Sequence, residues 1–247
     1  MNEALAEKEF NDFIRTVPNA EVINDLDIKM QEGCKIADYL FNNRRIIGEL
    51  KCLEVDTGRK LQELIDKLMD EGRLVVYGRL PFNKIIDSLS PELRESLKKE
   101  AFERVSASLE GAYEEANRQI RDTKNNLKLQ DSSGFLILLN NGNLALDPKT
   151  AVYKLNQLMN KKKDDKVRFE SLHFGLYIST KHYNINGQEK IYPLITFINS
   201  NLRNLSERES AFIKQFQENY AKLENAPIYF PDNLKINDAI EFPFKVD

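Results

Sequence analysis

The chain has 247 residues, 41% of them hydrophobic, and a net charge of −3, enough apolar content for one large domain or a core with an appended lobe. The charge excludes the broad basic footprint of a tight nonspecific DNA binder, and two cysteines, Cys34 and Cys52, make neither a disulfide framework nor a zinc site. Apolar runs such as residues 135–139 are far too short to span a bilayer, and the first ten residues lack an apolar signal core, so a soluble, cytoplasmic protein with no membrane contact is expected.

In chain order, residues 3–17 carry Leu5, Phe10, Phe13, Ile14 and Val17 at helical spacing, and Pro18 ends that helix. A short strand is expected at 21–23, and two longer ones near 34–41 and 45–53, joined by a tight Asn/Arg turn. A helix at 59–71 places Leu61, Leu64, Ile65 and Leu68 on one face, and residues 74–77 read as a short strand or a buried loop. Ser90 before Pro91 is a helix start, Ser as N-cap and Pro at N1. Apolar residues then recur over 93–127 as one long helix or two in line. Gly134 opens a buried strand over 135–139, residues 140–143 form a turn, and Asp147-Pro148 caps a helix through about residue 160. Strands near 169–180 and 190–198 precede a helix from about 206 to 224, and a Pro- and Asn-punctuated tail follows.

The chemistry concentrates in the first hairpin. One strand carries Asp38; the next ends in Glu49-Leu50-Lys51. Strand side chains alternate faces, so Glu49 and Lys51 share one face and Leu50 takes the other. Hairpin pairing lets Asp38 lie near Glu49 across the sheet. Two carboxylates and an ammonium together are the parts of a divalent-metal hydrolytic site. The bland alternative is ordinary charges on an edge hairpin, but their apolar flanks mark a strand covered on both faces, where charges need a reason.

Asp38 with Glu49-Leu50-Lys51 on adjacent predicted strands resembles the PD-(D/E)xK nuclease superfamily, with Ala37 standing where that family has its proline. The resemblance covers about the first 145 residues. It implies an α/β fold with a restriction-endonuclease-like core (helix, mixed central sheet, helix, strand) at 1–145, interrupted by a helical insertion at about 57–110, and an α+β C-terminal extension at 146–247 packed on the core. It implies Mg²⁺, with Mn²⁺ as substitute, held by Asp38, Glu49 and the backbone carbonyl of Leu50, with Lys51 positioning or activating the attacking water. Many members add an acid from the first helix. Here that is Glu9, four residues from both Leu5 and Phe13 along the apolar stripe, with Glu7 a weaker substitute. Some branches place a Gln or Lys on the following long helix. Gln119 shares a face with Ala112, Ala116 and Thr123 and is expected to face the site, whereas Lys124, off that face, is a phosphate contact, as are Arg44 and Arg45 at the hairpin turn.

The remaining features are blander. Lys161-Lys162-Lys163, with Lys166 and Arg168, reads as a solvated loop that could touch nucleic-acid backbone. His173 and His182 have no zinc spacing, and Tyr177, Tyr183 and Tyr192 suit either base stacking or strand packing. The expected function is a Mg²⁺-dependent nuclease acting on DNA, of restriction, phage-defence or repair type. The alternatives are a non-catalytic nucleic-acid-binding or assembly protein that keeps the fold, and an RNA-cleaving member. The C-terminal region is expected to read substrate, bind a partner protein or form a homodimer, which suits double-strand cutting because one site cuts one strand.

Overall fold

The computed structural model describes residues 3–28, 33–78, 82–186, 188–223 and 245–246. Helix α1 (Glu3–Ile14) leads through β1 (Glu21–Val22) to the hairpin β2 (Tyr39–Phe41) and β3 (Ile46–Cys52). Three helices follow, α2 (Gly58–Asp70), α3 (Phe82–Asp87) and α4 (Pro91–Leu127), then β4 (Ser133–Asn140) and α5 (Pro148–Met159). A small hairpin, β5 (Lys162–Lys163) and β6 (Lys166–Val167), precedes β7 (Phe174–Ser179), β8 (His182–Asn186), β9 (Glu189–Ile191) and β10 (Leu194–Ile198). Helix α6 (Glu207–Leu223) and β11 (Lys245–Val246) complete the described elements. Among the described residues no helix is long and apolar enough to cross a membrane.

The architecture is α/β, built on a six-stranded mixed sheet in the order β1-β2-β3-β4-β7-β10. The central pairs β3–β4 and β4–β7 are parallel and the outer pairs antiparallel. Parallel neighbours need crossover connections; α2 to α4 supply the first and α5 the second. Strands covered on both faces read as continuous apolar runs, which is why β4 is buried along its whole length. On one face Ile47, Leu136 and Leu138 pack under Leu109, Tyr113 and Ile120 of α4 and Leu155 of α5. On the other, Ile46, Leu50, Phe135 and Ile137 meet Phe10, Phe13 and Ile14 of α1 and Phe216 and Tyr220 of α6.

The apolar recurrence over 93–127 resolves as a single helix of 37 residues, about 55 Å long at 1.5 Å per residue. Ser90 Oγ caps it by accepting the Leu93 N–H at 3.4 Å. Its first half packs with α2 and α3 around Leu64, Ile65, Leu68, Ile85 and Leu97, the region expected to be a helical insertion. Its second half lies on the sheet.

The structure also revises several expectations. The strand expected at 34–41 contracts to Tyr39–Phe41. The 74–77 segment is neither strand nor wholly buried, since Val75 and Tyr77 are exposed. The strand expected at 190–198 divides into β9 and β10. The region expected as a C-terminal extension supplies β7, β10 and α6 to the same sheet and core, so no sheet boundary falls near residue 145. Most of the expected tail lies outside the described residues.

Candidate active site

Strands β2 and β3 bring the acids together. Their register pairs Tyr39 with Gly48, and one residue earlier the Asp38 N–H donates to the Gly48 carbonyl at 3.1 Å. The Leu50 N–H is then taken by a side chain: it donates to Asp38 Oδ2 at 2.8 Å. The next side chain on the α4 face is Glu49, 1% exposed. Its Oε1 accepts from Lys51 Nζ at 2.8 Å, and its Oε2 is buried with no donor to it among the described residues.

Helix α4 closes this arrangement from above. Lys51 Nζ donates to Gln119 Oε1 at 2.7 Å and lies 3.4 Å from Glu115 Oε2. The other end of the same amide, Gln119 Nε2, donates to the Ile36 carbonyl at 2.9 Å. One turn further on, Thr123 Oγ1 accepts the Ala37 N–H at 2.8 Å. Two side chains four residues apart on one helix face thus clamp the backbone that carries Asp38. The result is a cleft of about 420 Å³ whose walls include Glu7, Asp38, Glu49, Lys51, Glu54, Ser108, Glu115 and Gln119, within the roughly 300–1,000 Å³ usual for ligand pockets.

The charges in the cleft are not at ease. Burial, reinforced by Glu7, pushes Asp38 up to about 6, against the Leu50 hydrogen bond and Lys51. Burial and then the neighbouring Asp38 push Glu49 well above the carboxylate range, with Lys51 opposing. Burial pulls Lys51 down, but Glu49, Glu115 and Asp38 outweigh it and hold the ammonium above its ordinary value. Two desolvated carboxylates that repel each other both favour a cation.

The orphaned Glu49 Oε2 beside Asp38 fits a hard, oxygen-ligated cation. Among the described residues no group of three or more His, Cys, Asp or Glu is placed to hold a metal. A pair of carboxylates suits Mg²⁺, which takes one or two and keeps several waters.

Of the residues read from sequence, Asp38, Glu49, Leu50, Lys51 and Gln119 meet in this cleft. Glu9 does not; Glu7, also exposed, lines the cleft from α1 instead. Glu7 precedes Phe10 by three residues and Ile14 by seven, which keeps it flush with the buried stripe; Glu9 lies at the stripe's outer side. Arg44 and Arg45 are also displaced, because the turn precedes β3 while Lys51 stands near its far end, about 20 Å along at 3.3 Å per residue. Three consecutive left-handed residues, Asn42, Asn43 and Arg44 (φ 52°, 55° and 63°), make that turn. Arg44 is engaged by both oxygens of Glu21 at 2.9 and 2.7 Å.

Lys124 is buried away from the cleft, where its charge and that of Arg203 help push His173 down to about 4, after burial itself. Tyr177 is buried and hydrogen-bonded to Asn140 Nδ2 at 2.9 Å, and Tyr183 and Tyr192 lie ring to ring at 5.9 Å. In the basic run, Lys161 pairs with Glu110 and Arg168 with Glu114.

Four cleft residues escaped the reading of the sequence or were undervalued in it: Glu7, Glu54, Ser108 and Glu115. Two had a signal. Counting back from Gln119 by helical steps gives Glu115, Ala112 and Ser108, the stripe that lines the cleft, and Ser108 Oγ is buried with no partner among the described residues. Glu54 is set by the 140–143 turn, whose Asn141 Nδ2 donates to Glu54 Oε1 at 3.0 Å. Gly142 is needed there, since a Cβ would fall 2.1 Å from the Glu54 carbonyl oxygen. No family model, curated protein or solved structure matches the chain.

Proposed function

We propose that this chain is a metal-dependent nuclease that hydrolyses phosphodiester bonds of nucleic acid, DNA in the first place. The observation that carries this reading is the buried, partnerless Glu49 Oε2, set beside a second carboxylate, Asp38, and an ammonium, Lys51. With α2 and α3 set aside as an insertion, the order α1-β1-β2-β3-α4-β4, with β3 and β4 parallel, supports the restriction-endonuclease-like core that the sequence motif implies. Asp38 and Glu49 would hold Mg²⁺, with the Leu50 carbonyl as the expected third protein ligand. When bound, Mg²⁺ supplies positive charge to the phosphate and acidifies a water.

The chain's own residues supply orientation. Lys51, held above its ordinary pKa, stays an ammonium at neutral pH, so it acts as a hydrogen-bond donor and not as a base. Its donors are aimed by Glu49 and Gln119 at 2.8 and 2.7 Å. The contact to Glu115 is longer, 3.4 Å, and this is the direction from which an incoming water or phosphate oxygen competes. Thr123 and Gln119 keep the 36–38 backbone in register so that Asp38 faces Glu49.

The test is cleavage of supercoiled plasmid, linear duplex, single-stranded DNA and RNA, with Mg²⁺, Mn²⁺ or EDTA. Metal-dependent cutting that is lost by orders of magnitude in both Lys51→Ala and Asp38→Ala is the expected result. Cutting that survives both substitutions, or none by the wild type in any metal, would refute the proposal.

A further inference from the structure

Glu115 is held differently from the other acids of the cleft. Three cations converge on it: Lys35 Nζ at 2.5 Å and Arg118 Nη2 at 3.6 Å on Oε1, and Lys51 Nζ at 3.4 Å on Oε2. The hydrogen bond from Lys35, with help from Lys51, holds its carboxyl below the usual range, the reverse of Asp38 and Glu49. Lys51 is shared with Glu49 at the shorter distance of 2.8 Å, which leaves Glu115 facing Lys35 and Arg118. Lys35 and Arg118 are also about half exposed, at 55% and 49%. Ion pairs this open to water contribute little, so Glu115 can be displaced easily.

The position matters as much as the charge. Glu115 is one helical turn before Gln119 on the α4 stripe that walls the cleft, and it shares Lys51 with Glu49. The cleft walls otherwise carry Glu7, Asp38, Glu49 and Glu54, which repel a polyanion. The arginines of the hairpin turn are far away, and Lys124 is buried elsewhere. Among the described residues, Lys51 inside the cleft and Lys35 and Arg118, which reach its wall through Glu115, are cations placed to meet a phosphate next to Asp38 and Glu49. A phosphate oxyanion accepts charge-assisted hydrogen bonds from ammonium and guanidinium groups just as a carboxylate does.

We propose that Lys35 and Arg118, with Lys51, form a phosphate subsite beside Asp38 and Glu49, and that Glu115 occupies it when no substrate is bound. The occupant is a backbone phosphate adjacent to the scissile one. Glu115 keeps the three cations in place and is displaced as the nucleic acid enters. This rests on the nuclease reading of the cleft and adds to it a route by which a polyanion enters a cleft rich in carboxylates.

The test is the binding of a fluorescein-labelled DNA single strand and its duplex to the full chain, by anisotropy across a salt titration, in EDTA and again with Ca²⁺. Lys35→Ala and Arg118→Ala should weaken binding and lower the slope of log affinity against log salt by about one each. Glu115→Gln should tighten binding several-fold, because the substrate no longer competes with a carboxylate. Melting curves of all three variants confirm folding. Wild-type slopes in both cation variants, unchanged or weaker binding in Glu115→Gln, or a wild type that binds neither strand form would overturn the proposal. Metal-dependent cutting by a wild type whose variants bind identically would remove the subsite and leave the nuclease. Subsite-dependent binding without cutting in any metal would do the opposite.

Discussion

Two buried glutamates on opposite faces of the sheet show how one residue type serves two ends. Glu49, 1% exposed, and Glu209, 5% exposed, both lost most of their hydration on folding. Glu209 recovers it. Its Oε2 accepts from the Ser206 N–H at 2.8 Å, Ser206 Oγ at 2.7 Å and Arg203 Nη1 at 2.8 Å. Its Oε1 accepts from Arg203 Nη2 at 2.5 Å and from Ser133 Oγ. Burial alone would raise its pKa, but Arg203, Ser133 and Ser206 overwhelm that and hold it far below the carboxylate range. Glu49 has one lysine on one oxygen, no donor on the other among the described residues, and a second carboxylate, Asp38, beside it. A saturated carboxylate fixes structure; an unsaturated pair leaves room for the cation that the proposed function calls for.

The comparison breaks first at Glu209. Glu209→Ala removes the common partner of Arg203, Ser133 and the start of α6. Losing one partner of a buried pair costs about 3–5 kcal/mol. With Arg203 42% exposed solvent reclaims part of this, leaving about 2–3 kcal/mol of lost stability in urea unfolding. The pH dependence has a definite sign. A carboxyl depressed in the native state stabilises above its unfolded value of about 4.3 and loses that contribution as pH falls below it. The wild type should therefore lose stability on acidification below about pH 5 more steeply than Glu209→Gln. Equal slopes would mean that the network contributes nothing.

At the cleft the sign reverses. Asp38 is pushed up to about 6, so between its unfolded value near 3.9 and about 6 the native state binds more protons than the unfolded one, and stability falls as pH rises. Asp38→Asn removes that penalty while its amide oxygen can still accept the Leu50 N–H. The metal-free variant should thus be more stable than wild type at pH 7, by about 1–2 kcal/mol, with the difference vanishing below about pH 4. Mg²⁺ should restore the order: wild type gains about 2.7 kcal/mol at a hundredfold excess over Kd, and the variant gains almost none. A metal-free Asp38→Asn that is less stable than wild type would show these carboxylates to be as settled as Glu209.

How much of this was legible in the sequence depends on the range of the contact. Asp38, Glu49 and Lys51 follow from hairpin pairing and strand alternation, which are local; Gln119 comes from the family resemblance, and the helix face it shares with Ala112, Ala116 and Thr123 is local as well. Glu7 and Glu9 differ by only two residues, and deciding between them needed the angle at which α1 meets the sheet. Arg44 is only five residues from Glu49, yet an extended strand converts those five residues into about 17 Å. Strand β7 lies beyond position 145 and pairs parallel with β4 across an intervening helix, which leaves no local mark of which sheet it joins; β10 then follows it as the antiparallel neighbour of β7. Likewise Ser206-x-x-Glu209 reads as a capping box, but the convergence of Arg203 and Ser133 on it is tertiary.

The smallest effect separates positioning from mere packing. Thr123 is fully buried, and its hydroxyl joins the Ala37 N–H at 2.8 Å to the Gln119 carbonyl at 2.8 Å. Thr123→Val keeps the shape and leaves the Ala37 N–H without a partner, a cost of about 1–2 kcal/mol. Thr123→Ser keeps the hydroxyl and loses only a methyl, about 0.8 kcal/mol. Stability alone would hardly distinguish the two. Mn²⁺ affinity by calorimetry should: it falls in Thr123→Val, because Asp38 drifts from its register with Leu50, and returns in Thr123→Ser. Unaltered affinity in both would mean that β2 and β3 suffice to place Asp38 and that α4 merely covers them. Cleft and Glu209 would then differ only in their hydrogen bonds, and not also in how firmly the backbone beneath them is held.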